Sequence, residues 1–229
     1  MKDQGIIDVA AFGVQYTDEL RGSKVTFGGI DNKKVPHFDN LTFTNLYGRN
    51  YWDVSLTKMR YGDVEIGGQA IRGLIDTGSS FLMLPSQDYN RWLNAVRTNK
   101  TCGKYSIYQG CYCDGKTNDE LFDPIYVKFD NYEYRIAPDQ YINRITTGGR
   151  QFCYFLVGEL KGFSSTPTAV LGDTFIRNYY IYHDMENRRV GLYGEYMEYY
   201  ESVPLVSEET AQLIVIGSIL VAIFALCCC

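Results

Sequence analysis

The stretch Gly73–Pro85, GLIDTGSSFLMLP, determines how the rest of the chain is interpreted. An apolar run ends at Asp76, a Thr-Gly turn follows, and a second apolar run begins at Phe81. Short apolar runs bounded by turn residues are typical of buried strands. The pattern therefore predicts two strands joined by a loop that holds one carboxylate. A turn aspartate that bonds only its own loop is the alternative interpretation of Asp76.

The composition is that of a core-forming, β-rich protein. Of the 229 residues, 45% are hydrophobic and 21% are charged, which excludes a disordered tail. Aromatic residues reach 15% while helical periodicity is scarce, so we expect mostly strands. The 22 basic and 27 acidic residues give a net charge of −5 without a Lys/Arg cluster, so nucleic acid is not an expected partner.

A hairpin is predicted immediately before the central stretch. Its arms are Asp63–Gly68 and Gln69–Ile75, and the second arm leads into Asp76. Gly67 and Gly68 would supply the positive φ angles that a tight hairpin turn requires.

Alternating or apolar segments bounded by turn residues predict further strands. They are Lys24–Ile30, Tyr51–Met59, Ile125–Phe129, Tyr132–Ile136, Ala169–Leu171, Tyr179–Asp184 and Arg189–Tyr193. Asp130 and Asn131 are a turn signal between the third and fourth of these strands, and the last two strands are predicted to form a hairpin. One soluble helix is predicted at Ser86–Val96, with Ser86 as its N-cap and Tyr89, Leu93 and Val96 on its buried face.

The cysteines and two sequons favour an oxidising compartment. Four cysteines in the body of the chain could form two disulfides, with three possible connectivities: Cys102, Cys111, Cys113 and Cys153. Zinc binding is the competing interpretation, but C-x-C without a nearby His fits a tetrahedral zinc site poorly, so no metal site is predicted. Asn40 and Asn99 begin Asn-x-Thr sequons and are candidate N-glycosylation sites.

The C-terminal part of the sequence predicts a stalk and a membrane anchor. Residues 195–210 are rich in Glu and Tyr, and residues 211–229 form 19 residues without a charge, which as a helix would be about 28 Å long. The segment is either a transmembrane helix or a GPI-anchor signal. Its last residues, Cys227, Cys228 and Cys229, are candidates for palmitoylation or simply complete the apolar segment. Either way we expect membrane lipid as a partner.

The predicted compartment requires an entry signal that the start of this sequence does not provide. The candidate disulfides and sequons predict that the folded part of the chain lies in the secretory or endolysosomal lumen or outside the cell. The sequence starts MKDQGIID, which has no apolar region of a signal peptide. We therefore expect the N-terminal part of the protein to be missing from this sequence.

Five blocks of sequence occur in the order in which they are found in the C-terminal lobe of pepsin-like aspartic proteases, which residues 4–194 resemble. They are QGIID at Gln4, VTFGGID at Val25, YWDVSL at Tyr51, GLIDTGSSFLMLP at Gly73 and AVLGDTFIRNYYIYHDMENRRVGL at Ala169. The resemblance implies one lobe of a bilobal, mostly β fold in residues 1–194. It also implies an aspartic endopeptidase that acts on a polypeptide substrate and needs no cofactor.

The resemblance assigns roles to the loop around Asp76. In the family, two carboxylates lie so close that they share one proton, and one acts as a base toward water while the other donates to the scissile carbonyl. Asp76 would be one member of this pair. Thr77 would help to hold the two lobes together, Gly78 would let backbone N–H groups approach the carboxylate, and Ser79 would hydrogen-bond its outer oxygen.

The resemblance also implies how the catalytic loop is supported. Leu171 and Gly172 would pass beneath the loop, and Asp173 would cap the short helix that follows without taking part in catalysis. For the cysteines it implies the pairs Cys113–Cys153 and Cys102–Cys111, with a bond between Cys111 and Cys153 as the alternative.

Patterns of other enzyme classes are missing from the sequence. Ser79 and Ser80 do not lie in a Gly-x-Ser-x-Gly elbow, and the glycine-rich pieces lack the P-loop Lys. His37 and His183 are the only histidines, and neither lies near a nucleophile signature. We interpret both histidines as surface or packing residues.

The sequence differs from the family pattern because it carries one Asp-Thr-Gly loop and no first lobe. A lone carboxylate has no partner with which to share a proton. Three hypotheses follow. The chain is the C-terminal part of a membrane-anchored endopeptidase whose N-terminal lobe is missing, or two copies pair so that each supplies Asp76, or the chain is an inactive membrane-tethered lobe that binds peptides or a partner.

Overall fold

The computed structural model describes residues 1–17, 22–68, 72–162 and 166–198. The strands are β1 (Ala11–Gln15), β2 (Lys24–Phe27), β3 (Thr42–Asn45), β4 (Asp53–Ser55), β5 (Lys58–Tyr61), β6 (Val64–Glu65), β7 (Arg72–Ile75), β8 (Leu82–Pro85), β9 (Cys102–Tyr105), β10 (Tyr108–Tyr112), β11 (Ile125–Phe129), β12 (Tyr132–Ile136), β13 (Ile142–Thr147), β14 (Arg150–Phe155), β15 (Val157–Leu160), β16 (Thr168–Leu171), β17 (Tyr180–Asp184), β18 (Arg189–Tyr193) and β19 (Tyr196–Glu198). The α-helices are α1 (Ser86–Arg97), α2 (Asn118–Leu121), α3 (Pro138–Tyr141) and α4 (Asp173–Ile176), and Phe38–Asn40 forms a 3-10 helix.

Sheet B, which carries the central stretch, has the strand order β15-β8-β16-β7-β4. Strand β16 lies between β7 and β8, parallel to β7 and antiparallel to β8, and β15 runs parallel to β8. Because parallel neighbours need long connections, residues that are distant in sequence meet in this sheet. The loop between β7 and β8 is therefore positioned by β16, which follows it by about ninety residues along the chain.

Sheet A is entirely antiparallel, with the order β2-β1-β17-β18-β3. It supplies Ile181, Val190 and Leu192 to the main hydrophobic core. Ala11 on β1 and Tyr180 on β17 belong to a second, smaller core cluster. The sheet is thus covered by apolar side chains on both faces, which explains why its central strand β17 is buried along its whole length.

Two further antiparallel sheets complete the described fold. Sheet C has the order β19-β12-β11-β5-β6 and sheet D the order β13-β14-β10-β9. Within sheet C, Arg60 donates two hydrogen bonds to the buried carboxylate of Glu133, at 2.9 and 2.7 Å. A bidentate ion pair of this kind supplies the partners that a buried carboxylate requires.

Two disulfides tie sheet D together. Cys102 bonds to Cys111 on the neighbouring strand, and Cys113 bonds to Cys153 across a sequence separation of 40 residues. These are the pairs that the family resemblance implied, and the alternative pair of Cys111 with Cys153 is not formed. Both bonds fit an oxidising compartment.

The prediction of a mostly β fold is confirmed, and the architecture is consistent with one lobe of a pepsin-like fold. The predicted strands at Ile125–Phe129 and Tyr132–Ile136 pair in register across Asp130 and Asn131, as expected. The predicted hairpin of β17 and β18 is also confirmed.

The predicted hairpin with its turn at Gly67 and Gly68 is wrong. The hairpin turns five residues earlier, where Gly62 has φ +54° and connects β5 to β6. Strand β7 pairs instead with β4 and β16. Gly67 has another role, because its N–H donates to the carbonyl of Met59 and an added Cβ would lie 2.8 Å from the Cβ of Met59.

Helix α1 buries the face that the sequence predicts, but it begins differently. Tyr89, Leu93 and Val96 are buried, and Trp92 is buried with them, edge-on to Phe155 at 5.3 Å between ring centroids. The N-cap position is occupied by Pro85, and no side-chain hydrogen bond caps the helix. The predicted cap at Ser86 is therefore wrong by one residue, since Pro85 ends strand β8 immediately before the first helical turn.

In the described part of the chain, no helix is both long and apolar enough to span a bilayer. The predicted anchor at residues 211–229, with Cys227, Cys228 and Cys229, lies outside the described residues. Most of the predicted stalk, residues 195–210, lies outside them too.

Candidate active site

The loop between β7 and β8 is held at both ends by backbone hydrogen bonds. The N–H of Asp76 donates to the carbonyl of Leu171 at 3.1 Å. On the other side of the loop, the N–H of Asp173 donates to the carbonyl of Ser79 at 2.7 Å. Leu171 and Asp173 flank Gly172, so the segment after β16 crosses the loop and fixes its position.

The carboxylate of Asp76 accepts two hydrogen bonds within its own loop. The N–H of Gly78 donates to Oδ1 at 3.0 Å, and the hydroxyl of Ser79 donates to Oδ2 at 2.6 Å. The side chain is half-buried. Each carboxylate oxygen keeps a free lone pair, because a carboxylate can accept about four hydrogen bonds. The carboxylate is thus oriented by the loop while one side remains open.

Gly172 lies closer to the loop than any other residue type could. A Cβ at this position would lie 2.3 Å from the carbonyl oxygen of Ser79 and 2.5 Å from that of Phe81. Both are backbone atoms, which cannot rotate away. A side chain at position 172 would therefore displace the loop that carries Asp76.

The residues after Gly172 do not follow the prediction in every respect. Asp173 was expected to cap helix α4, but the N-cap position is Gly172 and Asp173 lies in the first turn. Its carboxylate pairs instead with Arg177, at 2.5 Å. Thr174, which the sequence did not single out, is fully buried and donates from its hydroxyl to the carbonyl of Ser80 at 3.0 Å.

Thr77 is exposed, and its carbonyl is held by a residue that the sequence analysis missed. The hydroxyl of Tyr16, in the segment after β1, donates to the carbonyl of Thr77 at 3.2 Å. Burial raises the pKa of this hydroxyl, with smaller contributions from the negative charges of Asp173 and Asp76, so it remains a donor. Tyr16 lies 61 residues from Thr77, and no local pattern could have indicated the contact.

Tyr16→Phe is expected to loosen the loop without unfolding the protein. The variant leaves the carbonyl of Thr77 without this donor, which costs about 1 kcal/mol. We expect a lower denaturation midpoint and faster amide hydrogen exchange at Gly78. Tyr105→Phe is the matched control because the Tyr105 hydroxyl has no protein hydrogen bond within the described residues. Unchanged exchange at Gly78 in Tyr16→Phe would show that the contact does not restrain the loop.

Strand β4 supports the base of the loop from the other side. The N–H of Ile75 donates to the carbonyl of Trp52 at 2.9 Å, and the fully buried carboxylate of Asp53 forms an ion pair with Arg72 on β7. A cavity of about 300 Å³ lies beyond the other end of the loop, with Phe81 and Met83 in its lining. The Asp76 loop is thus followed by a concave surface with apolar side chains in its lining.

The structure places the other predicted residues away from this loop. Asn40 and Asn99 are both exposed, and Asn99 has a positive φ of 58° in the turn after α1. Within residues 1–17, 22–68, 72–162 and 166–198, no group of three or more His, Cys, Asp or Glu side chains could hold a metal ion. Glycosylation at either asparagine stays a prediction.

Comparison with known proteins identifies relatives along most of the chain. The family model described as eukaryotic aspartyl protease matches residues 1–194. Cathepsin D of Mus musculus is 28% identical over 178 residues, which cover 74% of this chain and 40% of that protein. Gastricsin of Rattus norvegicus is 27% identical over 201 residues, covering 84% of this chain and 48% of that protein. Vacuolar protease A of Neurospora crassa is 25% identical and covers 84% of this chain and 46% of its own length.

The chain spans less than half the length of these three relatives. The family match covers far more than half of the chain itself, and it includes the whole Asp76 loop and the segment that crosses it. The chain therefore belongs to the eukaryotic aspartyl protease family.

Proposed function

We propose that the chain is the C-terminal lobe of an aspartic endopeptidase and that Asp76 is one of its two catalytic carboxylates. The observation that carries the proposal is the geometry of this side chain. Gly78 and Ser79 orient the carboxylate, and the segment around Gly172 holds the loop from beneath. A carboxylate with a fixed orientation and an open side is what a shared-proton pair requires.

The reaction would use this carboxylate together with a second one. Two carboxylates in contact cannot both be ionised, so the pair holds one proton between them. The ionised member accepts a proton from a water molecule that attacks the peptide carbonyl, and the protonated member donates to the carbonyl oxygen. The donors at Gly78 and Ser79 would stabilise the charge on Asp76 and keep its orientation during the proton transfer.

The second carboxylate would come from outside this sequence. The relatives are more than twice as long as their matched parts, which supports an N-terminal lobe as the source. The exposed Thr77 would then contact that lobe. A second copy of the chain, paired across a twofold axis, is the alternative source. In both cases the isolated single chain would be inactive, and without either source it would serve only as a binding module.

The same proposal includes attachment to a membrane through residues 211–229. The support is their uncharged sequence, and the two disulfides support an oxidising compartment for the lobe. Resistance of the full chain to extraction from membranes by alkali would support this part, and release into the soluble fraction would contradict it.

The experiment that tests the catalytic proposal measures pepstatin-sensitive cleavage of a denatured protein at acid pH. The full chain in detergent is assayed alone over a range of concentrations, and then with an added N-terminal aspartyl protease lobe. Activity only with the added lobe supports the proposal. A rate that falls with the square of the concentration on dilution would assign the second carboxylate to a second copy. Cleavage by a demonstrably monomeric chain would overturn the proposal.

A further inference from the structure

A second cavity, of about 380 Å³, lies at the turn between β3 and β4 and is separate from the Asp76 loop. Its lining includes Arg49, Tyr51 and Trp52 from this turn, and Met185 and Arg188 from the turn between β17 and β18. We call it the Arg49–Arg188 cavity. Two loops that are more than a hundred residues apart in sequence thus build one concave site.

The side chains of this cavity are those that protein interfaces favour. Tyr51 is 61% exposed and Met185 is 58% exposed, so both present large apolar groups to solvent. Aromatic residues, Met and Arg are enriched in protein–protein interfaces relative to the rest of the surface. Such groups clustered around one cavity indicate a binding surface rather than scattered exposure.

Arg188 is held in place by the backbone. Its φ is +52°, a conformation that non-glycine residues rarely adopt, and its carbonyl accepts the N–H of Leu46 at 3.0 Å. Its guanidinium donates to the carbonyl of Gly48, next to Arg49, at 2.5 Å. The two cationic side chains therefore extend from positions that are tied to each other.

Two carboxylates that are close in sequence to the arginine pair, those of Asp53 and Glu186, already have cationic partners. The buried carboxylate of Asp53 pairs with Arg72. The carboxylate of Glu186, in the same turn as Arg188, accepts a hydrogen bond from the N–H of Ala10 and forms an ion pair with Lys2. Within the described part of the chain, the Arg49 side chain has no hydrogen-bond or ion-pair partner. In a protein with a net charge of −5 this is a local excess of positive charge.

The cavity lies near the strand that carries the proposed catalytic residue. Trp52, which lines it, accepts the N–H of Ile75 through its carbonyl at 2.9 Å, and Ile75 precedes Asp76. Trp52 therefore connects one wall of the cavity to the strand that leads into Asp76.

We propose that the Arg49–Arg188 cavity binds an acidic side chain, with an apolar neighbour, of the polypeptide that the Asp76 site takes. The proposal rests on the proposed function and adds a substrate preference to it. The guanidinium groups bind the carboxylate of the ligand, and Tyr51, Trp52 and Met185 cover its apolar neighbour.

The test measures peptide binding by the full chain in detergent, with Asp76→Asn so that no peptide is cleaved. The probes are fluorescent peptides in which a Glu-Phe pair occupies successive positions, each with a Gln-Phe twin. We expect the best Glu peptide to bind about fivefold more tightly than its twin, as exposed charge pairs allow, and its advantage to fall at high salt. Amide NMR signals of Tyr51 and Arg188 should shift on binding.

Two charge-reversal variants distinguish an effect of the cavity from an effect of the protein's net charge. Arg49→Glu should remove the preference for Glu, whereas Lys104→Glu, with the same charge change at an exposed site on β9, should keep it. Equal binding of the twin peptides would overturn the proposal. Equal loss of the preference in both variants would overturn it as well. If the Glu preference is found but the unsubstituted chain never cleaves a substrate with an added N-terminal lobe, the result would count against the proposed function alone.

Discussion

Asp76→Asn is expected to lower kcat/KM of the complete two-carboxylate enzyme by about 10⁴-fold or more, a loss typical of removing a residue that acts directly in proton transfer. An amide can neither take the proton from the attacking water nor hold the shared proton of the pair. It can still accept from the N–H of Gly78 and contact the hydroxyl of Ser79, so the loop should keep its structure. Activity is measured as pepstatin-sensitive peptide cleavage, with the denaturation midpoint recorded beside it.

Asp173→Asn is the matched control for this prediction. Asp173 lies in the same part of the fold, and its backbone N–H donates to Ser79, but its carboxylate pairs with Arg177. Removing that partly exposed ion pair should reduce activity by less than about tenfold. If both variants lose activity equally, Asp76 has no special role. If Asp76→Asn stays active while folded, the proposed function fails.

Local pairings of strands could be predicted from the sequence because their turns are short. Asp130 and Asn131 join β11 to β12, and Asp130 has a positive φ of 47°, which Asp tolerates better than most residues. The turn and the alternation together fix the register. The same reasoning failed at Gly67 and Gly68 because β7 finds its partners elsewhere in the chain, and local turn residues carry no information about them.

The surroundings of Asp76 could be predicted only in part. Gly78 and Ser79 are adjacent in sequence, so their hydrogen bonds to the carboxylate are local. The hydrogen bonds from Tyr16 to Thr77 and from Arg188 to Gly48 join residues that are far apart in sequence. Such contacts depend on how the sheets pack, which alternation and turn residues do not encode.

Acidification from pH 6.5 to 4 is expected to cost the folded chain about 3 kcal/mol through one buried histidine. His183 on β17 is 1% exposed, stacks on Phe12 at 4.3 Å between ring centroids, and lies edge-on to Trp52 at 4.7 Å. Among the residues that the structure describes, none is a hydrogen-bond partner of its Nδ1. Burial lowers the pKa of His183 from 6.5 to about 4, and the polar backbone of Phe12 and Ile181 opposes this only in part.

The direction of the change in the free energy of unfolding depends on whether the folded or the unfolded state binds the proton. Between pH 6.5 and 4 the unfolded chain protonates its histidine while the folded chain keeps His183 neutral, so protons favour the unfolded state. The contribution of neutral His183 to the free energy of unfolding is therefore fully present above pH 6.5 and is lost as the pH decreases toward 4. Below that pH the folded state also takes up the proton, and this contribution stops changing. The interpretation of His183 as a packing residue agrees with its stacking on Phe12.

His183→Phe should flatten this part of the pH dependence because phenylalanine can stack on Phe12 but cannot bind a proton. The free energy of unfolding is measured by urea denaturation at several pH values between 6.5 and 4 for both proteins. The difference between the two unfolding free energies at each pH removes the contribution of other groups, such as Asp184. Burial raises the pKa of Asp184, but hydrogen bonds from Asn187 and Arg189 lower it more, so its pKa lies below the usual value. His37→Phe is the control, since His37 is exposed and its burial hardly changes on unfolding. Parallel curves for wild type and His183→Phe would show that acid acts elsewhere, whereas a flatter curve means that removing one imidazole makes the folded chain more tolerant of acid.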